Sequence, residues 1–149
     1  MAEIHPARQI IQSASVGSLG TVTPDGGPFV TLVTVASTGP TSLVMLLSGL
    51  AKHTKHISGN GQCSLLLVQP GGESGNPLEG ARLTVTGEAK KIPLQEDSAE
   101  RAAFLELHPD AAMYADFGDF SMYRIDIQQA HLVAGFGRIE TLTADQLSA

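Results

Sequence analysis

Thr23-Pro24-Asp25-Gly26-Gly27 separates two runs of β-forming residues, and this punctuation constrains the chain more than any other feature. Proline fixes φ, and Asp-Gly tolerates the positive φ that a tight hairpin turn demands. Before the turn, residues 15–22 alternate small or polar residues with apolar ones. After it, residues 29–35 are rich in β-branched side chains, which suit a pleated, half-buried surface. A second turn, Ser37-Thr38-Gly39-Pro40, leads to an apolar strand over 42–47. Further strands are predicted at 62–69, 82–89, 120–127 and 131–134. About seven strands with mostly hairpin-length links point to a small antiparallel barrel.

Helices are predicted at the periphery. Pro6 suits a first helical position, and Ala7, Ile10, Ile11 and Ala14 continue at helical spacing over residues 5–14. Residues 51–58 form a short helix ended by Gly59-Asn60-Gly61. An amphipathic helix spans roughly 95–107 and stops at His108-Pro109, with a helical turn around 110–115. Gln69 to Pro77 is a polar, turn-rich excursion within one domain. Gly135-Phe136-Gly137-Arg138 needs unusual backbone geometry. Residues 1–4 and the polar tail 141–149 read as flexible ends of a single domain covering 1–149.

Ser48-Gly49-Leu50-Ala51-Lys52-His53-Thr54-Lys55-His56 lies between two apolar runs and holds two of the chain's four lysines. The net charge is -6, yet no Asp or Glu occurs from Gly26 to Gly72. A basic cluster without nearby acids is a seat for an anion or a solvated basic turn. Two cationic ends, the Ser48 and Thr54 hydroxyls, and free N–H groups at a helix start favour a phosphate. His53 and His56 could share one helical face as metal ligands, but flanking lysines repel a cation and no third ligand is close in sequence. Arg82, which begins a strand, and Arg138, after Gly135-Phe136-Gly137, read as surface arginines. Tyr114, Asp119, Phe120 and Tyr123 read as strand entry and core.

Several classes are excluded. The acidic balance argues against nucleic-acid binding, and the longest apolar run falls short of the ~20 residues of a membrane helix. No phosphate-binding loop, dinucleotide turn, nucleophile elbow or H-E-x-x-H occurs. No signal peptide is visible, and the single Cys63 sits in an apolar run as a buried structural thiol. The expectation is a soluble, cytoplasmic protein.

The order of these motifs resembles the FMN-binding split barrels related to pyridoxamine 5′-phosphate oxidase. The hairpin at 24–28, Val30-Thr31-Leu32-Val33-Thr34 and the Ser48–Ile57 stretch carry the first part of the likeness. The segments 77–87 and 116–125, with Ala130-His131-Leu132-Val133-Ala134-Gly135-Phe136-Gly137-Arg138, resemble the branch containing haem-utilisation and haem-degrading proteins. The resemblance implies a six-stranded antiparallel split barrel with peripheral helices. It implies a homodimer with FMN in a groove at the subunit interface. Carried over residue by residue, Ser48, Lys52, His53 and Thr54 hold the phosphate, with Lys55 beside them. Thr31, Val33 and Thr34 run along the ribityl chain and flavin ring, and Arg82 makes a polar flavin or phosphate contact. Tyr114, Phe136 and Arg138 are candidates for contacts from the partner subunit.

Two departures stand out. Lys52-His53 replaces the Arg-Lys pair usual in the oxidase, and its C-terminal substrate segment is not recognisable, which argues against pyridoxine 5′-phosphate oxidation. Haem-degrading relatives often carry a further domain with a haem-ligating histidine, and this sequence ends at Ala149 without it. The implied activity is an FMN-dependent oxidoreductase acting on a small molecule. The alternatives are a haem-binding protein, with His131 or His53 as ligand, and a non-catalytic binding subunit.

Overall fold

The computed structural model describes residues 4–69, 78–135 and 137–149. Eight strands form one antiparallel sheet: β1 (Val16–Val22), β2 (Pro28–Thr34), β3 (Ala36–Gly39), β4 (Ser42–Ser48), β5 (Gln62–Val68), β6 (Arg82–Lys91), β7 (Phe120–Ala134) and β8 (Arg138–Thr143). Their order is β2-β1-β5-β6-β7-β4-β3, with β8 also on β7. Among the described residues, four α-helices decorate the sheet, α1 (Pro6–Gln12), α2 (Lys52–Gly59), α3 (Ser98–Leu107) and α4 (Ala144–Ser148), with short 3₁₀ turns at Leu94–Glu96 and Pro109–Met113. The mainly β, split-barrel expectation holds. The strand count is eight rather than six, because two short partners, β3 and β8, escape notice in the sequence.

The Pro24-Asp25-Gly26-Gly27 turn joins β1 to β2, with Gly26 at φ 85°. The register runs from Val16↔Thr34 to Val22↔Pro28. Alternation then sorts the side chains: Leu19, Val33, Leu65, Leu83 and Val85 enter the main core, joined by Ile10 and Ile11 of α1 and Ile57 of α2. β4 is apolar on both faces because α3 covers its other side. Val44 and Leu46 pack there with Phe104, Ala111 and Met122. This second cluster explains why residues 43–47 read as an unbroken apolar run.

Two sequence expectations change. The strands predicted at 120–127 and 131–134 are one fifteen-residue strand, β7. The break between them is a bulge: Thr86 faces Gln129 while Gly87 faces Ile127. Gly87 lies so close to β7 that a Cβ there would sit 2.2 Å from the Asp126 carbonyl oxygen. The tail expected to be flexible is instead part of the core. Thr143 caps α4 in a reciprocal capping box with Gln146, and Leu142 and Leu147 are buried. Gly135 and Gly137 have φ of 60° and 86°, the unusual geometry the sequence anticipated for the β7–β8 turn. The predicted 69–77 excursion, apart from Gln69, and Phe136 lie outside the described residues. No helix among the described residues is long and apolar enough to cross a membrane.

Candidate functional site

β3 pairs with β4 only through Ser42, Leu43 and Val44. The remainder of β4, Met45 to Ser48, has β7 on one side and no ladder partner on the other among the described residues. β2 lies at the far end of the strand order. Where these two edges face each other without pairing, a cleft of about 350 Å³ opens. It is lined mainly by apolar side chains, Val16, Leu32, Leu46, Ala51 and Phe120, with Thr34, Ser48 and His53 as polar members.

α2 starts at the mouth of this cleft. Its N-cap, Ala51, offers no side-chain oxygen to the first-turn amides. Those N–H groups and the positive end of the helix dipole therefore remain available to an anion. Thr54, in that first turn, is only 3% exposed, and its Oγ1 has no hydrogen-bond partner among the described residues. An unsatisfied buried hydroxyl is costly; Thr54 lies behind the cleft wall and is not one of its lining residues.

The face of α2 bearing His53 and His56 packs on the β1–β2 hairpin. His53 Nδ1 lies 2.9 Å from Thr31 Oγ1, and His56 Nδ1 lies 2.9 Å from Thr21 Oγ1. The Phe29 ring meets His56 edge-on at 5.1 Å, and Lys52 Nζ stands 5.8 Å from the same ring's centroid. Burial, and then the neighbouring His56, hold the His53 imidazole below its ordinary pKa, so at neutral pH it is uncharged. No group of three metal-ligating side chains occurs among the described residues, and each histidine is tied to a threonine.

The residues singled out in the sequence divide as follows. Ser48, Thr34 and His53 line the cleft, Thr31 orients His53, and Lys52 and Thr54 stand in the first turn of α2. Lys55, one residue further, is exposed. Val33 borders the cleft, but its side chain belongs to the main core, because strand alternation turns it away from Leu32 and Thr34. Arg82 is on the outward face of β6, opposite Val68 and Val133, and donates to the Leu78 carbonyl at 3.0 Å. It lines neither this cleft nor the larger hollow described next. Tyr114 packs on Phe120 at 4.8 Å, Arg138 pairs with Glu140 at 3.5 Å, and His131 Nδ1 contacts Thr141 Oγ1 at 3.0 Å. Cys63 is buried, and burial pushes its thiol up to about 11, as a structural thiol requires.

The acid-free span is not acid-free in space. Asp119, 71 residues away, accepts a 2.9 Å hydrogen bond from Ser48 Oγ. Its backbone carbonyl accepts the Gly49 N–H at 2.6 Å. Phe29 and Thr21 are further members that the sequence did not flag. Nothing local marks them, since they are ordinary residues of a β-hairpin.

The outward face of the same strands is unusually apolar. Val30 is 67% exposed, Leu32 74% and Ile139 69%, with Val16, Leu66 and Val68 also exposed. Register places Leu32, Ser18 and Leu66 side by side, then Thr84 and His131. A hollow of about 730 Å³ lies on this face, floored by small residues such as Ser18, Gly20 and Ser64.

Residues 2–148 match the family described as CREG, beta-barrel. The chain is 31% identical over 137 residues to "Non-canonical heme oxygenase HOZ, chloroplastic" of Arabidopsis thaliana, a match covering 91% of this chain and 41% of that protein. It superposes with a TM-score of 0.89 on a heme binding protein from Mycobacterium smegmatis, at 30% identity, covering 99% of this chain and 62% of the other. A Clostridium acetobutylicum protein related to general stress protein 26, of the pyridoxinephosphate oxidase family, aligns with a TM-score of 0.69. That match, at 11% identity, covers 93% of this chain and 92% of the other and shows the shared fold.

Proposed function

The chain belongs to the CREG β-barrel family, with the split-barrel fold of the pyridoxamine 5′-phosphate oxidase-like proteins, and we propose that it binds a planar, anionic redox cofactor, FMN, in the β2–β4 cleft. The observation that carries this reading is the buried, unpartnered Thr54 hydroxyl in the uncapped first turn of α2, flanked by Lys52 and His53. Lys52, Thr54 and the free amides would hold a phosphate. The apolar walls, Leu32, Leu46 and Phe120, would take a ring system, and Thr34 would meet its polar edge. FMN, when bound, supplies the redox chemistry toward a small-molecule substrate. The protein contributes positioning and the exclusion of water.

The proposal includes a homodimer. The exposed aliphatic residues of β1, β2, β5 and β8 form a patch rather than scattered singles, and its small-residue hollow suits a second copy of the same chain. Packing through this face would cover Val30 and Leu66 and bring Arg82 beside the partner's surface. Two-fold interfaces of this kind are self-complementary.

The test is reconstitution of the purified protein with FMN, followed by flavin absorbance and fluorescence titration. FMN is expected to bind more tightly than riboflavin, and Lys52→Ala to remove that preference. Equal binding of FMN and riboflavin by the wild-type protein would refute a phosphate site.

A second reading, haem in the same cleft, is favoured by His53 and by the names of the M. smegmatis and A. thaliana relatives. His53 is neutral, its Nδ1 is held by Thr31, and its other nitrogen is left for a ligand, the arrangement in which histidines bind metals. A Soret band on haem titration that disappears in His53→Ala and persists in His131→Ala would support it.

A further inference from the structure

The loop before β7 is latched onto the β4–α2 turn by a carboxylate. Asp119 Oδ2 accepts a hydrogen bond from the Ser48 hydroxyl at 2.9 Å, and the Asp119 backbone carbonyl accepts one from the Gly49 N–H at 2.6 Å. Ser48 Oγ also accepts the Leu50 N–H at 3.1 Å. A serine has one proton to donate, and here it is spent on Asp119. In this arrangement Ser48 cannot donate to a phosphate, although it lines the cleft with His53 and Phe120. The latch also places a negative charge beside a turn whose other ionisable groups, Lys52, Lys55, His53 and His56, are cationic or can become so. The carboxylate has no cation within ion-pair distance among the described residues. Its role is therefore not that of a salt-bridge partner.

We infer that Asp119 is a built-in competitor for the anionic end of the cofactor, and so a determinant of which anions the site accepts and how readily it releases them. This rests on the phosphate site proposed above. The Asp119 carboxylate stands in for the incoming anion at Ser48. A dianionic phosphate must displace it from the hydroxyl and then bind against its charge. A neutral ligand in the same cleft meets neither cost. The design favours an exchangeable cofactor over a permanently held one. It places the selecting group on a different element, the loop entering β7, from the groups that attract.

The experiment titrates FMN and riboflavin into the wild-type protein, Asp119→Asn, Asp119→Ala and Lys52→Ala. Asn removes the charge and keeps an acceptor for Ser48, while Ala removes both. FMN affinity is expected to rise in the order wild type, Asn, Ala, by about tenfold at low salt for loss of a unit charge at contact range. The gain should shrink as salt increases, and riboflavin affinity should not change. If Lys52→Ala weakens FMN binding but neither Asp119 variant strengthens it, Asp119 is a structural latch and the inference is overturned while the phosphate site stands. A parallel gain for riboflavin would also overturn it, because the effect would then come from loop opening rather than from charge. If wild-type protein binds FMN no better than riboflavin and Lys52→Ala changes nothing, the phosphate site falls and this inference falls with it.

Discussion

Thr54→Val should make the protein more stable and bind its cofactor less well. Thr54 is 3% exposed, and its Oγ1 is without a partner among the described residues. Leaving a buried hydroxyl unpaired costs about 1–3 kcal/mol. Valine keeps the β-branched shape and has nearly the same helix propensity, so the substitution removes the polar atom and little else. A gain of ~1–2 kcal/mol corresponds to a rise in midpoint of roughly 2–8 °C for a chain near 150 residues. Differential scanning calorimetry of the ligand-free protein reads it directly. In the FMN complex the hydroxyl would gain a charged acceptor, and its loss should cost about tenfold in affinity, near 1.5 kcal/mol. The stability advantage of Thr54→Val should therefore shrink as FMN is added, because ligand stabilises the wild type more. A ligand-free midpoint that falls, with FMN affinity unchanged, would refute the argument that this hydroxyl is held in reserve for a ligand.

Val30→Glu should convert a dimer to a monomer in sedimentation or light scattering without altering the far-ultraviolet spectrum, since Val30 is 67% exposed in the single chain. A persistent dimer would show that the outward face is not the interface. For His53, burial and His56 lower the pKa below 6.5, so the folded protein takes up its proton later than the unfolded chain as pH falls. Stability relative to His53→Asn should then decline as pH drops below 6.5, measured by urea midpoints. A bound anion favours the imidazolium, so FMN affinity of wild type relative to His53→Asn should rise over the same fall; the phosphate's own second ionisation, near pH 6, cancels in that ratio. Gly87→Ala places a Cβ 2.2 Å from a β7 carbonyl oxygen and should destabilise by about 1–3 kcal/mol or more. An unchanged denaturation midpoint would show that the bulge can widen freely.

The fold was legible where side-chain period and turn chemistry agree. The β1–β2 hairpin, β5, β6 and the helix α2 fall within a residue or two of their expected bounds because Asp-Gly, Gly-Asn-Gly and strict alternation are local signals. β3 and β8 were missed for a physical reason: Ser37-Thr38-Gly39 and Arg138-Ile139-Glu140 acquire strand geometry only from the partners beside them, β4 and β7. The polar look of residues 141–149 misled because two leucines, Leu142 and Leu147, suffice to anchor them. At the site, the basic stretch was visible as a composition anomaly. Thr31, Val33 and Thr34 followed from the resemblance; Thr34 lines the cleft, Thr31 contacts His53, and the Val33 side chain follows strand alternation into the core.

The position of the cleft follows from how the sheet ends. A closed barrel would satisfy the edges of β2 and β4 by pairing them. Here β3 covers only Ser42–Val44, and the chain turns away after Ser48 into α2. The second half of β4 and the edge of β2 are left to face each other across a cleft of about 350 Å³. The same turn delivers the helix N-terminus to that gap, so apolar walls and a helix start without a side-chain cap are consequences of one topological choice. The carboxylate beside this turn, Asp119, comes from elsewhere, at the entry to β7, the strand that holds β4 along its whole length from Ser42 to Ser48. Its first residue, Phe120, pairs with Ser48, which fixes Asp119 within reach of the serine. Under the phosphate site proposed above, an attraction at the β4–α2 turn and a restraint at the entry to β7 would be held in register by the longest strand among the described residues. A change at either end of that pairing should alter anion binding before it alters the barrel.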